Sequence, residues 1–268
     1  MLQVFKCLMG GKLRTPYLQN RVQSLFGKAM HGWEMLNHDD KVLVGLSGGK
    51  DSLSLLWLLA ERKRRIPINF TIYAMHVEMG FNAVNHQQLA DFCEELEIEF
   101  HLVTTDFGHR AHTSENLEKS PCFFCALHRR RELFQGADRL SCNKLALAHH
   151  QDDILETFLM NLFYSGSLAT MQPVQPFFKG LITVIRPLAL INAQQTSKFA
   201  KLLNLPLQPP CCPSATQGKR SETREWLETL YKQNDRVRSC FWNAITSTGL
   251  SRLPMPPSTQ RKRRGVKA

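Results

Sequence analysis

Val42-Leu43-Val44-Gly45-Leu46-Ser47-Gly48-Gly49-Lys50-Asp51-Ser52 is the stretch whose reading decides the fold. Mostly β-prone apolar residues run into a Ser-Gly-Gly turn, and Leu53-Ser54-Leu55-Leu56-Trp57-Leu58-Leu59 then reads as a buried helix. Two adjacent glycines let the backbone approach a ligand and turn its N–H groups inward. The helix that follows aims the positive end of its dipole at the same spot. Ser47 and Ser52 add hydroxyls and Lys50 a point charge, so the loop is built for an anion of phosphate size. Asp51 would be repelled by bound phosphates unless it held a cation, which points to Mg²⁺. The spacing differs from the Walker A loop.

Outward from this loop, strand and helix patterns alternate. Residues 16–36 carry apolar side chains at helical spacing and precede the first strand, 42–46. Further strands are expected at 70–77, 99–105, 144–148 and 181–185. Helices are expected at 87–96, 127–140 and 154–164, and 106–120 reads as a surface loop. Such alternation means βαβ units, a doubly wound parallel five-stranded sheet, and ligands at the carboxyl ends of the strands. Beyond Pro187 the pattern turns helical, at 194–203, 221–232 and 237–246. Four segments follow: a helical extension 1–36, a nucleotide-binding domain 37–190, a helical region 191–248, and a basic, disordered tail 249–268.

The chain of 268 residues is long enough for a sizeable core, and its net charge of +11 calls for a polyanionic partner. Six of those charges, from Arg252, Arg261, Lys262, Arg263, Arg264 and Lys267, lie in the tail, so the body also carries an excess. No apolar run is long enough to span a membrane, and residues 1–14 lack the apolar core of a signal peptide. A cytoplasmic protein with no membrane association is expected.

Eight unevenly spaced cysteines in such a chain argue for thiol or metal chemistry over a disulfide framework. Cys122 and Cys125 form a Cys-x-x-Cys, and Cys211-Cys212 offers a further sulfur. The readings are a closed zinc site, a cluster with one position left free, a redox dithiol, or two partly buried thiols at a helix start. Cys7, Cys93, Cys142 and Cys240 stand alone and read as ordinary core or surface cysteines. His149-His150-Gln151-Asp152-Asp153-Ile154-Leu155-Glu156-Thr157 follows the fourth strand, on the same sheet edge as the glycine loop. Its histidines and carboxylates suit metal ligation, proton transfer, or the capping of a helix.

Residues 47–52 resemble the PP-loop of the N-type ATP pyrophosphatases, which adenylate a carbonyl oxygen and release pyrophosphate. Residues 149–157 are similar to the His-His-x-Asp-Asp-x-x-Glu-Thr signature that accompanies this loop in tRNA-lysidine and 2-thiocytidine synthetases. With Cys122-x-x-Cys125, Arg186-Pro187-Leu188 and a late cysteine, the whole of 42–230 looks like the tRNA 2-thiocytidine synthetase family.

The resemblance implies ATP, Mg²⁺ and a [4Fe–4S] cluster as cofactors, with cytidine 32 of a tRNA activated at its C2 oxygen before sulfur replaces it. It implies nucleotide contacts from Ser47, Gly48, Gly49, Lys50, Asp51, Ser52 and His149. Catalytic parts fall to Lys50, Asp51, His150 and Asp152. Cluster ligation falls to Cys122, Cys125 and Cys212, with Cys211 next in line, and Mg²⁺ to Asp51. Where the family commonly has a second Cys-x-x-Cys, this chain has Pro209-Pro210-Cys211-Cys212-Pro213, which marks a divergent member. A persulfide on Cys122 or Cys125 is the competing sulfur carrier. Arg129, Arg130, Arg131, Lys219, Arg220 and the tail are candidates for tRNA phosphates. A sulfur donor such as a cysteine desulfurase and a homodimer complete the expectation. The alternatives are a PP-loop enzyme acting on another nucleoside or a sulfur carrier, and a zinc-stabilised RNA-binding protein, against which the intact Lys50, Asp51 and Asp152 speak.

Overall fold

A computed structural model describes residues 16–81, 84–114, 116, 120–209, 212, 218–248 and 253–254. The chain opens with α1 (Tyr17–Gly32), β1 (Asp40–Gly45), α2 (Lys50–Lys63), β2 (Phe70–Glu78), α3 (His86–Glu95) and β3 (Glu99–Thr104). It continues with α4 (Phe107–Arg110), α5 (Pro121–Arg139), β4 (Lys144–Ala146), α6 (Gln151–Ser165), β5 (Val174–Phe177) and β6 (Ile182–Ile185). The last elements are α7 (Ala193–Leu202), α8 (Lys219–Gln233) and α9 (Val237–Ser247).

The strand order is β3-β2-β1-β4-β6-β5. The glycine loop therefore leaves an inner strand at the point where the order reverses, the usual place for a ligand in an open α/β sheet. Alternation along β1 buries both of its sides. Val42 and Val44 enter a core with α1, α2, α3 and α7, while Leu43 enters a second core with α5. Leu145 and Ala146 of β4 divide in the same way. Each such valine or leucine contributes on the order of 1.5–3 kcal/mol by leaving water, and the two-sided demand explains the nearly unbroken apolar run.

The five expected strands form, and a sixth corrects the count. β5 lies antiparallel to β6, with Pro176 opposite Thr183. Pro173 and Pro176 hid it, since proline withholds a ladder N–H, but β5 is an edge strand, where proline is tolerated. The expected loop 106–120 contains the helical turn α4, held because Phe107 packs into the α5 core. Helix α5 begins at Pro121, six residues before its expected start. Ser120 caps it by accepting from the Phe123 N–H, so the Cys-x-x-Cys sits inside its first turns.

A third core, with Ile154, Leu155, Leu227, Trp242 and Ile245, fastens α8 and α9 onto α6. Leu253 is buried in it, and of the expected tail 249–268 only residues 253 and 254 are described. Residues 1–15, Cys211 and the basic run 261–264 lie outside the described residues. No helix among the described residues is long and apolar enough to cross a membrane.

Candidate functional site

The cavity at the carboxyl edge of the sheet, about 290 Å³, is lined by Ser47, Gly49, Asp51 and Ser52 of the loop, by His76 and Glu78 of β2, and by Arg129 and His149. Gly48 sits at φ +80°, where a side chain is strained. Ser52 Oγ donates to the Gly49 carbonyl at 3.0 Å and accepts the Ser47 N–H at 3.1 Å, and the two hydroxyls lie 3.0 Å apart. The serines thus set the shape of the loop before any ligand arrives. Gly49 is the N-cap of α2 and supplies no side chain to cap it, which leaves the first helical N–H groups for an anion.

Lys50 Nζ lies 2.9 and 2.7 Å from the two carboxylate oxygens of Asp51, and the Thr196 hydroxyl donates to Asp51 Oδ1 at 2.5 Å. Thr196 ties the loop to α7 and went unnoticed in the sequence, where a lone threonine in a helix carries no signal. Its capping box, Asn192 with Gln195, does mark the start of that helix.

Of the 149–157 segment, His149 alone lines the cavity. Its Nδ1 is sealed within protein and makes no hydrogen bond. Burial, aided by the positive charges of Arg186, Arg220 and Arg130 and opposed by the negative charge of Asp153, pushes its pKa down to about 4, so the ring is neutral. Arg186, of the Arg-Pro-Leu stretch, is itself buried and lowered to about 10, yet stays charged at neutral pH.

His150 instead caps α6. Its Nδ1 accepts the Asp153 N–H at 3.3 Å, and its own N–H donates to Asp153 Oδ2 at 2.9 Å. Asp152 turns away from the cavity. Its carboxylate accepts the Ala193 N–H at 2.7 Å and Arg238 Nε at 2.6 Å. Glu156 receives Arg224 through Nε at 2.8 Å and Nη2 at 3.1 Å. This segment therefore gives the cavity one imidazole, closes the cap of α6 with Asp153, and spends Asp152 and Glu156 on holding α7, α8 and α9.

Cys122 and Cys125, three apart on α5, share a face of the helix. Burial raises the Cys125 thiol, Arg129 pulls it down, and the negative charges of Cys212 and Cys122 raise it further. Cys122 and Cys212 therefore each lie within electrostatic reach of Cys125. Gln208, four residues before Cys212 in the sequence, is clamped to the glycine loop. Gln208 N–H donates to the Gly48 carbonyl at 2.9 Å, and its side-chain amide bridges Asn85 N–H and Gln88 at 2.8 Å each. Cys93 and Cys142 are buried elsewhere, with pKa values pushed up to about 12 and about 11 by that burial, and their thiols stay protonated and inert.

A Ser-Gly-Gly-Lys-Asp-Ser loop leaving the inner strand of such a sheet, with an uncapped helix behind it, defines a PP-loop protein. The family model described as a PP-loop domain matches residues 15–208. The tRNA-cytidine(32) 2-sulfurtransferase of Pelobacter propionicus is 35% identical over 238 residues, covering 88% of each chain. That of Citrifermentans bemidjiense is 31% identical, over 87% of this chain and 96% of its own. The chain belongs to the PP-loop family and, within it, to the tRNA 2-thiocytidine synthetases. Among solved structures it is similar to the U34-tRNA thiolase NcsA from Methanococcus maripaludis with its [4Fe-4S] cluster. The TM-score is 0.67 at 27% identity, over 82% of this chain and 76% of that one.

Proposed function

We propose that this protein is an ATP-dependent tRNA thiolase that converts a tRNA cytidine, at position 32, to 2-thiocytidine. The observation that carries the proposal is that the glycine loop and His149 line one cavity with Arg129, and that Arg129 also lies within electrostatic reach of Cys125, the thiol that Cys122 and Cys212 both influence. The similarity to the curated sulfurtransferases supports the choice of base.

In this reading the loop N–H groups and the start of α2 bind the phosphates of ATP. Lys50 leaves Asp51 for them, which its flexible stem permits. The freed Asp51 carboxylate suits Mg²⁺, and Thr196 keeps it oriented. The C2 oxygen of the cytidine attacks the α-phosphorus, an O–P bond forms, and pyrophosphate departs with the electron pair of the broken bond. A sulfur nucleophile then attacks C2 and the C2–O bond breaks, with the former carbonyl oxygen leaving in AMP. Neutral His149 presents a ring at the cavity to accept a hydrogen bond or a proton from the base.

Three thiolates suit a [4Fe–4S] cluster better than closed zinc, and such a cluster supplies an iron without a protein ligand for an exogenous sulfur. Cys212 is the third ligand we favour. Exposed Phe123 and Leu127 lie with Arg130 and Arg131 on the outer side of α5. Exposed Phe163 and Trp226 lie 6.3 Å apart beside Lys219, which sits 4.2 Å over Tyr164. Together they form aromatic and basic ground for single-stranded RNA. A desulfurase-type sulfur donor, a cytoplasmic setting, a homodimer, and a division into 37–190 for adenylation and 191–248 for the third thiolate belong to the same proposal.

The test is mass spectrometry of tRNA nucleosides from cells with and without the gene. Loss of 2-thiocytidine is expected. Unchanged 2-thiocytidine with loss of another thionucleoside would move the assignment to that base.

A further inference from the structure

At the carboxyl end of β2, His76 and Glu78 meet His86 from the first turn of α3, and one ligand atom from each lies within 4.8 Å of the others. The carboxylate plane of Glu78 is held from behind. Oε1 accepts the N–H groups of Gly80 at 3.0 Å and Phe81 at 3.2 Å, leaving Oε2 at 2.9 Å from His86 Nε2 and 3.8 Å from His76 Nε2.

His76 is held likewise. Its Nδ1 lies 2.7 Å from the Leu46 carbonyl oxygen, which can only accept, so the ring hydrogen is on Nδ1 and the lone pair of the neutral ring is on Nε2. That Nε2 is buried without a hydrogen-bond partner, on a side chain 5% exposed. A separation of 3.8 Å from Oε2 is too long for a hydrogen bond. An imidazole whose far nitrogen donates to a backbone carbonyl, with its bare nitrogen turned toward a carboxylate, is the arrangement of a metal-ligating histidine. Donors about 2.0–2.2 Å from one ion stand about 3–4 Å from each other, and here Glu78 Oε2 lies 2.9 and 3.8 Å from the two imidazole nitrogens, with all three donors within 4.8 Å.

We propose that His76, Glu78 and His86 form a binding site for a divalent transition ion of zinc type in the wall of the nucleotide cavity, separate from the three thiols. The donor set is two imidazoles and one carboxylate without sulfur, and the remaining coordination positions open toward the cavity that His76 and Glu78 line. For His86 to bind through Nε2, the hydrogen it now shares with Glu78 moves to Nδ1 or to solvent. The positive end of α3 and the nearby Arg129 oppose a cation, and three inner ligands outweigh them. The site does not depend on which base is thiolated.

Equilibrium dialysis of the full-length protein against Zn²⁺, followed by X-ray absorption at the zinc edge, tests it. Wild type and the Cys122→Ser variant should both hold a zinc with nitrogen and oxygen neighbours. His76→Gln and Glu78→Gln should weaken that zinc more than about 100-fold. His86→Gln alters a partly exposed position on α3 and keeps the test sound if a buried variant fails to fold. Equal zinc binding by wild type and His86→Gln, or zinc with sulfur neighbours alone, would overturn the proposal.

Discussion

Replacing Asp152 by Asn separates a chemical role for this carboxylate from a positioning one. The side chain is 8% exposed and holds two partners from different elements, the Ala193 N–H at 2.7 Å and Arg238 Nε at 2.6 Å. Asparagine keeps the shape and one acceptor oxygen but turns an NH₂ toward a donor. Hydrogen bonds to charged groups are worth about 1.5–3 kcal/mol, and a buried group left facing a like group costs about 1–3 kcal/mol. Arg238 is itself only 25% exposed and stacked on Tyr231, whose burial raises its hydroxyl to about 12, so water compensates little.

A loss of about 3 kcal/mol is expected, which for a chain of this size lowers the melting temperature by about 6–12 °C. Arg238→Ala should lose a comparable amount, and the double variant should fall short of the sum by about 1–3 kcal/mol. Differential scanning calorimetry beside an assay of AMP release gives both readings. If Asp152→Asn melts within about 1 °C of wild type yet releases no AMP, the carboxylate acts on the substrate and the positioning argument is refuted.

Anaerobically purified protein should be brown, and Cys122→Ala, Cys125→Ala and Cys212→Ala should each lose iron while Cys93→Ala keeps it, as read by metal analysis; retention of iron in Cys212→Ala would move the third ligand elsewhere. Gly48→Ala places a Cβ 2.6 Å from Gln208 Cγ at φ +80°, and calorimetric titration should show ATP binding weakened by at least tenfold, since strain of this kind costs about 1–3 kcal/mol. Lys50→Ala should lower AMP formation by about 10²–10³ while leaving the melting temperature within a few degrees. The His149 pKa is lowered in the folded protein from near 6.5 to about 4, so the unfolded chain binds the extra proton between those values. Stability is then flat above pH 6.5 and falls as pH drops toward 4, by about 3 kcal/mol in all, and His149→Asn should flatten that fall in urea titrations.

The loop, the parallel strands and the Cys-x-x-Cys were legible because each is written in a short contiguous run. Turn glycines, apolar β runs and a three-residue spacing on a helix act through neighbours in the chain. β5 was hidden because Pro176 is compatible with a strand only at an edge, and which strand is the edge is a property of the whole sheet. The 149–157 segment was legible as a site but not as to which residue does what. His149 and His150 are adjacent, yet one closes a capping box and the other faces the cavity.

From its sequence alone this protein is a PP-loop nucleotide binder with two thiols at a helix start. The residues that shape the loop, Gly48, Gly49, Ser47 and Ser52, interact over six positions at most, so local chemistry determines them. Only the tertiary structure decided that Asp51 answers to Thr196, that Asp152 belongs to Arg238, that Gln208 is pinned to Gly48, and that Cys212 comes within electrostatic reach of Cys125. Those pairs are separated by scores of residues. Their closeness follows from how the sheet orders its strands and which helices pack against its carboxyl edge, and no local pattern encodes it.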